Sequence, residues 1–174
     1  MTANDTDTTE SDYLEVVGSK TAKLFAAATE IGPVIAERPD KERLALEAFG
    51  YNIGMAFQLI DDVLDYSAPQ ATLGKTVGDD FRDGKITLPV VLAFRAADDQ
   101  GKAFWRRTLE DMEQKKGDLK RATQLLETSG AIRATVERAR EYGAKARGNL
   151  DIFSESPHKR ALVEAIDFAV NRSY

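Results

Sequence analysis

Cysteine is absent from the sequence, and histidine occurs once. Without thiols the chain can form neither disulfides nor thiolate metal sites, which suits a reducing compartment, and we expect the protein in the cytoplasm. No apolar run approaches the about 18 residues of a membrane-spanning helix, so no transmembrane segment is predicted. The formal net charge is −5 and no basic block occurs, so we expect no nucleic-acid partner.

The composition is that of a globular protein, with 174 residues of which 43% are hydrophobic and 30% are charged. This length is sufficient for one domain with its own core. Residues 1–11 are rich in threonine and in acidic side chains, and we expect them to form a flexible lead-in. Residues 12–174 contain neither a linker nor a repeat, and we interpret them as a single all-helical domain.

Apolar positions recur with a helical period along most of the chain, and no segment alternates as a strand does. The first helix is predicted over residues 13–31, with Asp12 and Glu15 as its capping box. Its end is expected near Gly32 and Pro33, because this pair favours helix termination.

A second, long helix is predicted over residues 39–66, and a turn-rich segment follows it. Thr87 is the expected cap of the next helix, with Pro89 in its first turn. Further helices are predicted over 102–115, 119–128, 131–153 and 157–173. The fold class is therefore all-α.

Three aspartates of the second helix share one face. At about 100° per residue, Asp61, Asp62 and Asp65 fall within one arc of about 100°, together with Gln58 and, one turn earlier, Gly54. The apolar face lies on the opposite arc and is complete without them: Phe49, Ile53, Ala56, Ile60 and Val63. Carboxylates this close repel one another, which a protein tolerates on a solvated face or where a cation compensates.

Hard oxygen ligands along one wall suit Mg²⁺, which takes one or two carboxylates and shares its other positions with waters and substrate phosphates. The position without a side chain at Gly54 would leave room for such a ligand. A solvated acidic helix face explains the D-D-x-x-D spacing equally well, because runs of charge are usually simply solvated. Both interpretations stay open on this motif alone.

Three lysines could neutralise an anion near these carboxylates. Lys20 lies on an otherwise apolar face of the first helix, so it either reaches out to water or meets an anion in a cavity. Lys75 and Lys85 lie in the glycine-containing segment 73–85 and supply point charges of the kind that bind phosphates. That segment lacks the G-x-x-x-x-G-K-[ST] pattern of a Walker loop.

The D-D-x-x-D spacing recurs at Asp79, Asp80 and Asp83, between glycines. Basic residues lie close by in the sequence, and turn backbones offer amide donors. We therefore expect these three carboxylates to pair with Lys85, Arg82 or backbone amides.

The combination of motifs is more specific than any one of them. The block G-S-K-T-A-K-L-F at 18–25 is followed by F-Q-L-I-D-D-V-L-D-Y at 57–66 and by L-G-K-T-V-G-D-D-F-R-D-G-K-I-T-L-P at 73–89. Together they resemble the trans-isoprenyl diphosphate synthases, and most of all the bacterial long-chain polyprenyl synthases that make quinone side chains.

This resemblance implies an all-α bundle of the isoprenoid-synthase type, of which the chain would be the C-terminal half, and a homodimer. It also implies a Mg²⁺-dependent prenyltransferase of isoprenoid biosynthesis. In that head-to-tail condensation an allylic diphosphate ionises and isopentenyl diphosphate adds to the carbocation.

By the same resemblance, the family's second aspartate-rich motif falls on Asp61, Asp62 and Asp65, which would bind the metal and take part in catalysis. The family's lysine for the allylic diphosphate and its neighbouring threonine fall on Lys20 and Thr21, and Lys20 would also be catalytic. The metal and the lysines would together neutralise the leaving diphosphate.

Four further residues match substrate-binding positions of the family. The Phe-Gln pair falls on Phe57 and Gln58. The later lysines that contact diphosphate fall on Lys75 and, less closely, on Lys85.

The sequence also departs from the family. The family's first aspartate-rich motif, the arginines near it and the residues that set product length all lie upstream of the region seen here. We therefore expect Met1 to be internal to a longer parent protein, and we expect no prenyl transfer by this chain alone. Ser19 stands where the family commonly has a glycine before the lysine, with Gly18 one place earlier.

Other classes of protein fit parts of the pattern. A truncated or regulatory, non-catalytic subunit that pairs with a complete synthase would keep helices for an interface. A class I terpene cyclase fragment also uses D-D-x-x-D, although the G-K-T-V-G-D-D segment argues against it. A di-iron bundle uses Glu-x-x-His pairs, and Glu155 and His158 have that spacing, but Pro157 lies between them and no second histidine exists. Trp105 is expected in the core.

Overall fold

The structure is a computed structural model that describes residues 4–67 and 77–172. The regular elements within these ranges are helical and include no strand, which confirms the predicted all-α class. In the same ranges no helix combines the length and the apolar composition that crossing a bilayer would require.

The helices of the described residues follow one another with short connections. In chain order they are α1 Glu10–Val17, α2 Lys23–Ile35, α3 Asp40–Ser67, α4 Asp79–Arg82, α5 Leu88–Ala96, α6 Asp99–Trp105, α7 Asp118–Thr128, α8 Ala131–Asn149 and α9 Pro157–Val170. A π-helical turn, Gly18–Ala22, joins α1 to α2, and a second, Arg106–Glu110, continues α6. The long helix predicted over 39–66 is confirmed as α3.

Helix α1 begins earlier than predicted because a different pair of residues caps it. The Thr9 N–H and hydroxyl donate to the Asp12 carboxylate at 3.0 and 2.7 Å, and the Asp12 N–H donates to the Thr9 hydroxyl at 3.2 Å. Asp12 therefore occupies the third helical position of a capping box whose cap is Thr9. The predicted box of Asp12 with Glu15 is wrong.

The segment that precedes α1 is packed. The side chains of Thr6 and Thr8 are buried, and the Thr6 N–H and hydroxyl both donate to the Glu110 carboxylate. The Asn4 N–H donates to the Gly84 carbonyl at 3.1 Å. The lead-in expected over residues 1–11 thus contributes contacts from residue 4 onward.

Helix α2 runs past the expected stop at Gly32 and Pro33 and ends at Ile35. Pro33 lies in the last turn, where its missing N–H removes one helical hydrogen bond and its fixed φ suits the helix. The chain then leaves the helix at Glu37, whose φ of 50° lies in the left-handed region.

Later helix ends differ from the prediction by a few residues. Thr87 stands at the N-cap of α5, but its side chain makes no capping hydrogen bond. Helix α6 begins before residue 102 because Asp98 caps it, accepting the Gly101 N–H at 2.8 Å. Helix α8 ends at Asn149 rather than near residue 153.

The described residues cluster into two compact units, and the single domain expected over 12–174 stays a prediction. Within the described residues, the first unit contains 4–16, 61–67 and 77–136, and the second contains 17–60 and 137–172. The divisions fall inside helical stretches, so no linker composition marks them in the sequence.

Each unit has its own apolar core. In the second unit it is a cluster of Phe49, Ile53, Ala146, Leu150, Ile166 and Ala169. In the first unit the largest fully buried side chains include Trp105, Phe81, Ile86, Leu88, Leu109 and Leu126. Trp105 meets Phe104 edge to face with ring centroids 5.3 Å apart, which confirms it as a core residue.

Candidate functional site

The residues predicted to form a site fall into two groups, one in each compact unit. Helix α3 passes through both units: it carries Phe57 and Gln58 in the second unit and the aspartates from Asp61 onward in the first. Lys75 lies outside the described residues, so its role stays a prediction.

The three aspartates of α3 have different surroundings. Asp62 is 2% exposed, whereas Asp61 and Asp65 are half-buried. Within the described residues no lysine or arginine forms an ion pair with Asp61 or Asp65. Among the described residues, the motif thus presents two accessible carboxylates without an ionic partner and one carboxylate that is turned inward.

Asp62 is held by a tyrosine of α1. The Tyr13 hydroxyl donates to Asp62 Oδ2, and Tyr13 itself is 3% exposed. Burial and, after it, the negative charge of Asp62 raise the pKa of Tyr13 well above its ordinary value, so the phenol stays protonated. No local pattern in the sequence indicates this contact, because Tyr13 and Asp62 lie 49 residues apart.

Asp65 is fixed from the other side by the segment that follows the helix. The Asp80 N–H donates to Asp65 Oδ2 at 3.0 Å, and the Gly78 N–H donates to the Asp65 carbonyl at 2.8 Å. Burial, and then the charge of the Asp80 carboxylate, raise the pKa of Asp65 to about 6. These two effects outweigh the N–H donors, which favour the charged form.

The second D-D-x-x-D segment is neutralised by its own cations, as predicted. Lys85 Nζ lies 2.8 Å from the Asp80 carboxylate and 3.0 Å from that of Asp83, while Arg82 bonds to Asp79 at 2.6 Å. The hydrogen bond with Asp80 raises the pKa of Lys85. Lys85 is therefore engaged with two carboxylates, and its predicted contact with a diphosphate stays a prediction.

The described residues offer a metal ion two carboxylate ligands here rather than a complete coordination shell. In the part of the chain that the structure describes, no three acidic or imidazole side chains converge closely enough to hold an ion by themselves. Mg²⁺ commonly binds to one or two carboxylates and completes its octahedron with waters and substrate phosphates. Asp61 and Asp65 fit that donor set.

In the second unit, Lys20 and Thr21 lie in the π-helical turn between α1 and α2. Such turns insert one extra residue into a helix and are frequent at functional sites. The Thr21 hydroxyl donates to Gln58 Oε1 at 3.1 Å, and Lys20 is exposed. The structure thus brings together two of the residues predicted to bind substrate, one from each of two helices.

Close packing of α2 on α3 fixes this pair. A Cβ added at Gly54 would lie 2.9 Å from the Ala22 Cα and 3.0 Å from the Phe25 Cβ. The space beside Gly54 is therefore occupied by the Ala22 backbone and the Phe25 side chain. The expectation that it leaves room for a ligand is wrong, because a glycine on a helix face serves helix contact as readily as ligand access.

Phe57 lies between an aromatic ring and a guanidinium. Its ring centroid is 5.6 Å from that of Phe25 and 4.1 Å from the Arg172 guanidinium carbon. Arg172 Nη2 also donates to the Phe57 carbonyl at 2.9 Å. Arg172 was missed because its partner lies 115 residues earlier in the chain and no local pattern joins them.

The chain was compared with known protein families and with characterised relatives. The polyprenyl synthetase family pattern matches residues 1–126. Octaprenyl diphosphate synthase of Haemophilus influenzae is 36% identical over 174 residues, which are 100% of this chain and 53% of the relative. The corresponding enzyme of Escherichia coli is 37% identical over 172 residues, 99% of this chain and 53% of its own length.

Solved structures agree with these sequence matches. The polyprenyl synthase from Caulobacter crescentus CB15, complexed with calcium and isoprenyl diphosphate, superposes with a TM-score of 0.95 at 43% identity. It is matched over 100% of this chain and 53% of that chain. The decaprenyl diphosphate synthase from Rhodobacter capsulatus gives a TM-score of 0.92 at 40% identity, over 99% and 53%. The chain therefore spans about half the length of the relatives it matches.

Proposed function

Because the chain belongs to the polyprenyl synthetase family, we propose that it supplies the aspartate-rich, diphosphate-binding part of a Mg²⁺-dependent prenyltransferase of isoprenoid biosynthesis. The proposed substrates are an allylic diphosphate and isopentenyl diphosphate. In the reaction the allylic C–O bond breaks and its electron pair leaves with the diphosphate. The double bond of isopentenyl diphosphate attacks the cation, and a proton is then lost.

Of the three aspartates that the resemblance implies as metal ligands, Asp61 and Asp65 are the two we assign to the metal. They are accessible and have no cationic partner among the described residues, whereas every carboxylate of the second D-D-x-x-D segment has one. This contrast is the observation that carries the proposal. Bound Mg²⁺ would supply charge neutralisation of the leaving diphosphate, and the two carboxylates would hold it against the α3 face.

Lys20 and Thr21 are assigned to the diphosphate, with Phe57 and Gln58 on the neighbouring helix. Lys20 offers an exposed ammonium, which can approach an anion without a burial cost. The Thr21–Gln58 hydrogen bond orients both side chains before any substrate arrives. Lys75 and, less closely, Lys85 remain candidate contacts of a diphosphate, as the resemblance implies.

A protein partner is part of this proposal. Helix α2 leaves Leu24, Ile31 and Ile35 exposed at 72%, 57% and 75%, and their spacing places them along one helix face. Exposed apolar stripes of this kind mark association surfaces. We propose that the chain assembles as a homodimer or with a polypeptide that supplies the remainder of the relatives' length, and that it does so in the cytoplasm.

Calorimetry of Mg²⁺ binding with and without pyrophosphate tests the proposed site. We expect weak Mg²⁺ binding by the protein alone and much tighter binding with pyrophosphate, because Mg²⁺ shares its ligands with phosphate oxygens. Asp61→Ala should remove this coupling. Asp79→Ala is the matched control, since Asp79 pairs with Arg82 at the surface. If pyrophosphate leaves the Mg²⁺ affinity of the unsubstituted chain unchanged, the proposed site is wrong.

A further inference from the structure

The second aspartate of α3 differs from its neighbours in being buried and bonded to another helix. Asp62 is 2% exposed and accepts the hydrogen bond of the Tyr13 hydroxyl. A carboxylate without donors is costly to bury, and a bond between a neutral donor and a charged acceptor is stronger than one between neutral groups. The Tyr13 hydroxyl therefore stabilises the inward position of Asp62.

Tyr13 is itself fixed in place. Its N–H donates to the Thr9 carbonyl at 3.0 Å, one turn from the Thr9–Asp12 capping box that begins α1. Its side chain is 3% exposed, so the ring has little freedom to follow Asp62 outward. If Asp62 turned to solvent, a buried hydroxyl would lose this acceptor, which typically costs about 1–3 kcal/mol.

The number of carboxylates that reach a metal decides which metal fits. Mg²⁺ requires near-ideal octahedral geometry and usually takes one or two carboxylates, whereas Ca²⁺ accepts six to eight oxygens in flexible arrangements. With Asp62 held inward, Asp61 and Asp65 are left as the outward carboxylates of the motif. A third carboxylate released beside them would favour the larger ion.

We propose that Tyr13 is a positioning residue that sets the metal preference of the aspartate helix: by holding Asp62 inward, it limits the site to two carboxylates and favours Mg²⁺ over Ca²⁺. This inference rests on the proposed function, because it concerns the same metal and diphosphate site. It assigns a role to Tyr13 of α1, which lies 49 positions from Asp62 in the sequence and would contact neither the metal nor the substrate.

The test measures Mg²⁺ and Ca²⁺ affinities of the full chain in the presence of pyrophosphate. Tyr13→Phe should lower the ratio of Mg²⁺ to Ca²⁺ affinity roughly tenfold, the lower end of the 10–100-fold effects typical of residues that support metal ligands. Tyr66→Phe is the matched control: Tyr66 is also 3% exposed, and its hydroxyl donates to no carboxylate among the described residues. The control should keep the ratio of the unsubstituted chain.

The ratio separates positioning from simple destabilisation, since a smaller folded fraction lowers both affinities alike. An unchanged ratio in Tyr13→Phe overturns the inference while leaving the proposed function intact. If the unsubstituted chain binds no Mg²⁺ with pyrophosphate, both are overturned. If Tyr13→Phe does not fold, Asp62→Asn and Asp61→Asn are compared instead. The loss of Mg²⁺ affinity in Asp62→Asn should be smaller than that in Asp61→Asn by a factor of about ten or more. Equal losses would show that Asp62 is a metal ligand and would overturn the inference.

Discussion

Asp65→Asn should stabilise the metal-free protein near neutral pH and abolish its Mg²⁺-dependent pyrophosphate binding. Asp65 is half-buried, and its charged form is disfavoured by burial and by the Asp80 carboxylate. An asparagine keeps the shape, and its amide oxygen can still accept the Asp80 N–H, which now lies 3.0 Å from Oδ2. The substitution therefore removes the charge and retains the hydrogen bond.

The expected gain follows from the pKa. The difference between about 6 in the folded protein and 3.8 ordinarily corresponds to about 3 kcal/mol, at about 1.4 kcal/mol per pH unit. Because Asp65 is partly solvated, we halve this figure for screening, to about 1.5 kcal/mol. In a protein of this length, that corresponds to a rise in melting temperature of about 3–6 °C.

The size of this gain depends on pH in a defined way. Below about pH 3.8 the carboxyl is protonated in the folded and unfolded states, so the substitution changes little. Between about pH 3.8 and 6 the folded protein keeps a proton that the unfolded chain releases, so this group's contribution to stability falls as the pH rises. Above about pH 6 the penalty in the native sequence is complete, and the advantage of the variant levels off.

Urea unfolding followed by the fluorescence of the buried Trp105 measures this effect at a series of pH values without metal. The quantity to plot is the difference in the free energy of unfolding between the native sequence and the variant at each pH. This difference removes the contributions of the other carboxylates, such as Asp118, whose pKa the Arg107 hydrogen bond lowers. Asp151→Asn, at an exposed position, should stay within about 0.5 kcal/mol at every pH. A gain for Asp65→Asn that is as large at pH 4 as at pH 7 would refute the reasoning.

Two further predictions concern helix packing and the diphosphate. Gly50→Ala should lower the free energy of unfolding, measured with urea, by about 2 kcal/mol or more. The added Cβ would lie 2.4 Å from the Phe25 carbonyl oxygen and 2.8 Å from the Ala26 Cα. In the control Gly148→Ala the added Cβ has nothing within 4 Å, and the free energy of unfolding should instead rise by up to about 1 kcal/mol. Equal effects would show that α2 and α3 do not pack as described. Lys20→Ala should weaken pyrophosphate binding roughly tenfold, because it removes one charge-assisted contact, and it should leave the melting temperature unchanged. A native affinity for pyrophosphate in this variant would show that Lys20 does not contact the anion.

The long helices and the face of the aspartates could be predicted because they depend on local periodicity. Helix α3 has an apolar arc that recurs over its whole length, and Asp61, Asp62 and Asp65 follow from counting 100° per residue along it. The pairing of Lys85 with Asp80 and Asp83 was also predictable, since opposite charges two to five residues apart in a turn readily meet. These inferences required no knowledge of distant contacts.

The different roles of the three aspartates could not be predicted in this way. Nothing in the sequence around Asp62 indicates that it, unlike Asp61, is buried and accepts a hydrogen bond from Tyr13 on another helix. The π-helical turn at Gly18–Ala22 likewise has no signature in the 3.6-residue period. Gly54 was misassigned for the same reason, since its neighbours are the Ala22 backbone and the Phe25 side chain and not a segment nearby in sequence.

The two D-D-x-x-D segments of the first unit have the same spacing but differ in how their negative charge is compensated. At 79–83 the carboxylates lie within 3.0 Å of Arg82 or Lys85, so a cation from solution has little charge left to compensate. At 61–65 the protein supplies hydrogen-bond donors, Tyr13 to Asp62 and the Asp80 N–H to Asp65, but no cation among the described residues for Asp61 or Asp65. Donors orient a carboxylate, whereas a cationic partner neutralises it, and an oriented carboxylate that keeps its charge is what a divalent ion requires. The two copies therefore differ in how their charge is compensated, and this difference, rather than the spacing, is the basis of the metal site proposed at 61–65.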